Sequence, residues 1–264
     1  MTAASPAGSG PAAPPAGSQP PSAPHASQPV APPAEPRSVA LPLEARALAG
    51  FAFLMGAMGL VLVLGAGTVR YWQGWLFLAV FGSSSIAITL HLLRTDRALL
   101  ERRVAAGPVA ERRPWQRLLQ WLAQLAFLAM LAVPAIDRRA GWSRMPAWLS
   151  LAAEAGVAAA MWLVFRVFRE NSHASATIEV GAGQRVVTTG PYAIVRHPMY
   201  AGALGLLACT PLALGSWWGL LALPPMVLLI VLRLLDEERL LAASLPGYAA
   251  YLDGLRWRLV PGVF

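Results

Sequence analysis

Six apolar runs, at residues 47–69, 74–93, 118–136, 146–168, 199–214 and 219–235, account for most of the chain after residue 40. A helix that crosses the hydrocarbon of a bilayer needs roughly 20 predominantly apolar residues, and backbone polar groups in that medium must be satisfied internally. Runs of this length therefore restrict the chain to an all-α, polytopic membrane helical bundle of about six transmembrane helices. Composition agrees, with 56% hydrophobic and only 13% charged residues, far from the usual balance of a water-soluble domain.

The 21 basic residues are all arginines, and the formal charge is +8. Such a charge alone is compatible with nucleic acid, but the arginines gather in the connections between apolar runs and form no aromatic-interleaved basic surface, so no nucleic-acid partner is expected. Their distribution sets the orientation instead, because cytoplasmic loops carry the excess. With an inner amino terminus, 17 arginines lie inside and four, Arg70, Arg138, Arg139 and Arg144, outside. Both termini are then cytoplasmic. Residues 1–40, rich in Pro, Ala, Ser and Gly, cannot bury enough surface to offset the entropy of ordering and read as a disordered tail. No basic segment followed by an apolar core stands near Met1, so the first apolar run is expected to stay as an anchor. The one cysteine, Cys209, supports neither an intrachain disulfide nor a cysteine-based metal site, and no metal is expected.

The chain divides into the tail at 1–40, membrane helices at 41–168 and a carboxy-terminal region at 169–264. The polar stretch 169–196, with Gly181, Gly183 and Gly190 as turn residues, leads into a tight helical hairpin. Its first arm, 199–214, spans only about 24 Å at 1.5 Å per residue, and Pro224-Pro225 is expected to kink the second. Pro198 suits the first helical position and leaves His197 at the cap, where exposed N–H groups and the positive helix end favour a carboxylate or phosphate. Arg196 and Tyr200 flank that point. On the second arm, Arg233 and Glu237 share a face, whereas Glu238 points roughly 100° away.

Taken singly, these residues have plain readings. Arg196 and Arg233 suit snorkelling anchors, Asp236, Glu237 and Glu238 a solvated face, and His197 a satisfied interfacial histidine. Trp72, Trp75, Trp142, Trp148, Trp217 and Trp218 suit an interfacial aromatic belt. Together, ionisable groups at the ends of membrane-length segments mark a functional site.

The order Gly190-x-Tyr192, Arg196-His197-Pro198-x-Tyr200-x-Gly202, a hairpin, Arg233-x-x-x-Glu237-Glu238-x-x-Leu241, Pro246-Gly247-Tyr248-x-x-Tyr251 and Pro261-Gly262 resembles the isoprenylcysteine carboxyl methyltransferase family of integral membrane methyltransferases. The resemblance covers about residues 170–264, and Asn171-Ser172-His173 is similar to the segment leading into the site in bacterial members. It implies an S-adenosylmethionine site on the cytoplasmic face, built from the last helices and the carboxy-terminal segment. By position, Tyr192, His197, Pro198, Met199, Tyr200 and Glu237 would hold the cofactor, with Gln184, Arg185, Val186 and Val187 lining it. Arg233 would meet a substrate carboxylate, helped by Arg196 and Asn171. Arg233, Glu237 and Glu238 are the candidate catalytic groups.

The implied activity is methylation of the carboxylate of a prenylcysteine-like or other lipophilic acceptor at the membrane, in a bacterial inner membrane. A carboxylate is already ionised at neutral pH and needs no general base, whereas an amine would need a proton acceptor, for which Glu238 or His173 are candidates. Methylation of a phospholipid amine or a small thiol, a sterol-type reductase with a nicotinamide cofactor, and a non-enzymatic membrane protein are the alternatives. A transporter would be expected to place polar groups near the midplane and show paired repeats, and neither is found.

Overall fold

The computed structural model describes residues 41–105, 107, 109, 111, 113–174 and 183–264, together with 1, 2 and 10. The expected tail is otherwise outside the described residues, as are Arg112 and Gly181. The chain forms eight α-helices over the described residues: α1 (Leu43–Ala66), α2 (Trp72–Thr95), α3 (Arg97–Val104), α4 (Pro114–Ala140), α5 (Ala147–Glu170), α6 (Pro198–Ala213), α7 (Leu223–Ser244) and α8 (Tyr248–Gly254). Two 3-10 turns, Gly190–Ala193 and Trp218–Ala222, precede α6 and α7, and no strand occurs among the described residues. Helices α1, α2, α4 and α5, and the segment Trp218–Ser244 that carries α7, are long and apolar enough to cross a membrane; α6 is apolar but shorter. This is an integral membrane helical bundle. Its outward apolar side chains, among them Leu64, Leu125, Trp162, Leu221 and Leu228, would be a liability in water and suit a lipid surround.

Helix limits follow local chemistry. Gly67 adopts φ 64° and its N–H returns to the Val63 carbonyl, ending α1, a left-handed cap that costs glycine little. The Asp96 carboxylate accepts from the Leu99 N–H at 2.9 Å, which starts α3. Pro224-Pro225, expected to kink the second arm, lie just past the junction where it passes from 3-10 turn to α-helix. Both prolines occupy the first turn of α7, after the 3-10 turn, where their missing N–H groups forfeit no intrahelical bond. The helix then continues past residue 235 to Ser244, carrying Arg233 to Glu238 within regular backbone.

Three apolar clusters hold the bundle. One joins α1, α2, α4, α5 and the end of α6 through Met58, Leu62, Phe77, Leu131, Val157 and Leu214. A second packs α7 on α4 and α6 through Met130, Leu207, Met226, Ile230 and Leu234. The third gathers Ala47, Leu92, Leu99, Leu100 and Phe168 around α3. Helix α6 lies so close to α5 that a Cβ at Gly156 would fall 2.5 Å from Cys209 Sγ.

The hairpin turn is fastened at the far end of the bundle. The Asp137 carboxylate, 1% exposed, accepts from Ser143 N–H at 2.7 Å, from Ser143 Oγ at 2.5 Å and from Ser216 Oγ. Tyr71 donates its hydroxyl to the Leu214 carbonyl at 2.6 Å. Gly219 sits against both prolines of the neighbouring helices, a Cβ there falling 2.7 Å from Pro134 Cγ and 2.8 Å from Pro211 Cβ. Burying a carboxylate is tolerable only with such full hydrogen bonding, and the result fixes α6 and α7 in register with α4.

Candidate active site

At the other end of the bundle, where α5 and α7 finish and α6 begins, a cavity of about 320 Å³ opens between the hairpin and the carboxy-terminal segment. The backbone at the cap of α6 is fixed by that segment: Arg196 and His197 donate their N–H groups to the carbonyls of Trp257 and Arg258, each at 2.9 Å. Pro198 is the first residue of α6, so the positive end of that helix faces the cavity.

Fourteen candidate residues named from the sequence line this one cavity: Asn171, His173, Gln184, Arg185, Val186, Val187, Tyr192, Arg196, His197, Pro198, Met199, Tyr200, Arg233 and Glu237. Glu238 does not. Its buried carboxylate turns away and is shared among Arg258 Nε at 3.0 Å, His197 Nε2 at 3.2 Å and Arg196 Nη1 at 3.4 Å. Arg196 also donates to the carbonyls of Leu255 at 2.5 Å and Leu252 at 2.6 Å. Glu238 therefore clamps the carboxy-terminal segment to the start of α6, and a direct role in proton transfer has no support from its position. The adjacent carboxylates of α7 part because the helix turns about 100° between them.

Glu237 faces the cavity and accepts from the Tyr200 hydroxyl at 2.6 Å. The same hydroxyl accepts from Arg233 Nε at 3.2 Å, so Tyr200 couples the two α7 groups across the gap between helices. Arg233 also donates from Nη1 to Gln116 Oε1 at 3.2 Å, and its Nη2 lies 3.8 Å from Glu111 Oε2. Gln116 in turn donates to Asp236 at 2.5 Å, and Arg113 to the same carboxylate at 2.7 Å. The start of α4 thus braces α7 from outside and holds the guanidinium in a fixed plane, as a bidentate contact to an oxyanion requires.

The opposite wall is aromatic. Asn171 donates to the Tyr192 hydroxyl at 2.9 Å, and Tyr251 donates to the Tyr192 carbonyl at 2.8 Å. Tyr248 and Tyr251 sit with ring centroids 5.8 Å apart. Burial, with the Glu237 charge adding to it and the Asn171 bond opposing, pushes the Tyr192 phenol up to about 12, so it is a neutral group at cellular pH. Between the walls, Met199, Ala203, Leu241 and Leu245 supply apolar surface.

Several lining residues escaped the sequence reading. Tyr248 and Tyr251 were visible only as part of a motif, with no role attached. Arg103, at the end of α3, was counted only for orientation, yet it lines the cavity and rests over the Phe168 ring at 5.1 Å. One signal for it did exist. Arg103 lies four residues after Leu99 and three after Leu100, on one helix face, and both leucines are buried.

The family described as phospholipid methyltransferase has a model that matches residues 148–245. The match runs from α5 through the hairpin to the end of α7, taking in Asn171, Tyr192, His197 to Tyr200, Arg233 and Glu237. No curated protein matches the chain. Over the stretch that forms most of the cavity, this integral membrane protein is similar to the phospholipid methyltransferase family.

Proposed function

We propose that the chain is an S-adenosylmethionine-dependent membrane methyltransferase acting on a lipophilic acceptor. The supporting observation is the closure of His197 to Tyr200 and of Arg233 and Glu237 around a single cavity at one end of the bundle. The match to phospholipid methyltransferases favours methyl transfer over the reductase and scaffold alternatives.

The donors and acceptors present fit the cofactor. The N–H groups at the start of α6 suit its carboxylate, Glu237 suits its ammonium, and the tyrosine wall offers faces for a flat heterocycle. When bound, it supplies an electrophilic methyl group whose C–S bond breaks with the electron pair passing to sulfur. The chain aligns acceptor and donor and excludes water, an advantage of up to about 7–11 kcal/mol. For a carboxylate acceptor, such as a prenylcysteine-like acid, one carboxylate oxygen forms the new bond to carbon and no proton moves. Arg233, kept in plane by Tyr200 and Gln116, orients that carboxylate. For a phospholipid amine, the reading favoured by the matched family, the nitrogen forms the bond and a proton must leave. His173, which lines the cavity, is the acceptor in that case, replacing Glu238.

The catalytic region proposed at 169–264 is completed by Arg103 from the first half of the chain. We place the cavity on the cytoplasmic side, from the arginine excess at that end.

The test is calorimetric binding of S-adenosylhomocysteine to the purified protein in nanodiscs, then label transfer from methyl-labelled cofactor to membrane lipids. Binding that weakens at least about 10-fold in Glu237→Ala supports the assignment. Absence of any binding to the wild-type protein overturns it.

A further inference from the structure

We infer that Arg103 forms, with Arg233, a subsite for the oxyanion of the methyl acceptor; this rests on the methyltransferase reading above. Arg103 and Arg233 reach the cavity from different helices, α3 and α7. Arg233 is surrounded by Tyr200, Gln116 and Glu111. Arg103, in contrast, is in no ion pair with a carboxylate among the described residues. Its guanidinium lies over Phe168, a residue 7% exposed, beside the buried Leu99 and Leu100.

A guanidinium in such surroundings is costly. Burial chiefly, with the Tyr200 phenol opposing and the Arg233 charge adding, pulls its proton affinity down from the ordinary value, yet arginine stays charged in proteins. Two cations that line one cavity and feel each other's charge repel until an anion comes between them, and an anion there takes charge-assisted hydrogen bonds from both.

Arg103 reaches the cavity from α3, beside the apolar cluster of Leu99, Leu100 and Phe168. An anion between Arg103 and Arg233 therefore has apolar surface next to it, which suits the acid group, a carboxylate or a phosphodiester, of a lipophilic acceptor.

The experiment measures affinities of wild-type, Arg103→Met and Arg103→Lys proteins in detergent for two pairs of probes. One pair is 3-(dodecylthio)propionate and its methyl ester; the other is dihexanoylphosphatidylethanolamine and dihexanoylglycerol. Wild-type protein is expected to prefer at least one acid over its uncharged counterpart by at least about 10-fold, the size of one charge-assisted hydrogen bond. Whichever pair shows the preference names the acid. Arg103→Met abolishes it while holding the uncharged probe and S-adenosylhomocysteine within about 2-fold of wild type. Arg103→Lys, which keeps charge but loses the planar fork, retains part of the preference and serves as the reading if Arg103→Met does not fold. Preference for neither acid, preference intact in Arg103→Met, or a loss confined to S-adenosylhomocysteine overturns the inference. Acid preference without cofactor binding would refute the methyltransferase reading and leave the anion subsite standing.

Discussion

Replacing Glu238 with glutamine removes a charge from the middle of a buried cluster while nearly preserving its shape. In the native protein the carboxylate accepts from Arg258, His197 and Arg196 at 3.0, 3.2 and 3.4 Å. The Arg196 and His197 side chains are 11% and 5% exposed, so their bonds to Glu238 act with little solvent screening. Arg258 is 33% exposed and is discounted accordingly. Weakening the two buried bonds from charge-assisted to neutral strength costs about 1–1.5 kcal/mol each, or about 2–3 kcal/mol together. For a chain of this size that lowers Tm by about 4–12 °C, readable from tryptophan fluorescence during heating in nanodiscs. Because the clamp secures the carboxy-terminal segment, trypsin should cut after Arg256 and Arg258 faster in Glu238→Gln than in wild type. A double-mutant cycle with Arg258→Gln isolates the shared term. A Glu238→Gln protein that melts within about 1 °C of wild type while methyl transfer collapses would refute the clamp, since Glu238 would then be acting on the reactants.

Tyr200→Phe deletes the hydroxyl between Glu237 and Arg233, and S-adenosylhomocysteine should bind about 10-fold more weakly by calorimetry; unchanged affinity would remove Glu237 from the cofactor site. Arg233→Lys keeps a charge but not the fork, so transfer should fall by at least about 10-fold with cofactor affinity retained. Gly219→Ala drives a methyl group into Pro134 and Pro211 and should cost about 1–3 kcal/mol, seen as a lower Tm without change in the KM of the cofactor. Tyr192 is held up to about 12 in the folded protein against 10 for an exposed phenol. Its contribution is complete below pH 10 and is lost as pH rises toward 12, because the unfolded chain releases its proton first. Tyr192→Phe should flatten that alkaline loss of stability in pH-dependent melting; an identical slope would refute the assigned cause.

Hydropathy was enough to place the apolar helices, because a bilayer leaves the backbone few other options, but it did not show α3 or α8. The limits were less legible. The first helix ends at Ala66 rather than at residue 69 because Gly67 takes the left-handed cap, and a run of apolar letters contains no such stop. The last long helix continues through Arg233 to Glu238 because those charges are received by Tyr200, Gln116, Arg196 and Arg258, partners far away in sequence. For the same reason the two carboxylates could be placed on different faces but not assigned: which face meets the cavity depends on where α4 and the carboxy-terminal segment dock. Arg103 was hidden more fully. Among the many arginines of its connection, its helical spacing from Leu99 and Leu100 is a faint mark, and contact with Phe168 and the hollow is what sets it apart.

The sixteen residues of α6 rise about 24 Å, against about 40 Å for the 27 of α4. Ser216 and Asp137 hold their far ends level, so the whole deficit falls at the end that carries His197. The cavity at that end is accordingly set back from the level at which α4 begins. Under the proposed methyl transfer, a molecule with a greasy tail would not need to be lifted out of the bilayer to react: its chain would remain among its neighbours while its head swings sideways into place, and the water-soluble donor would descend to meet it.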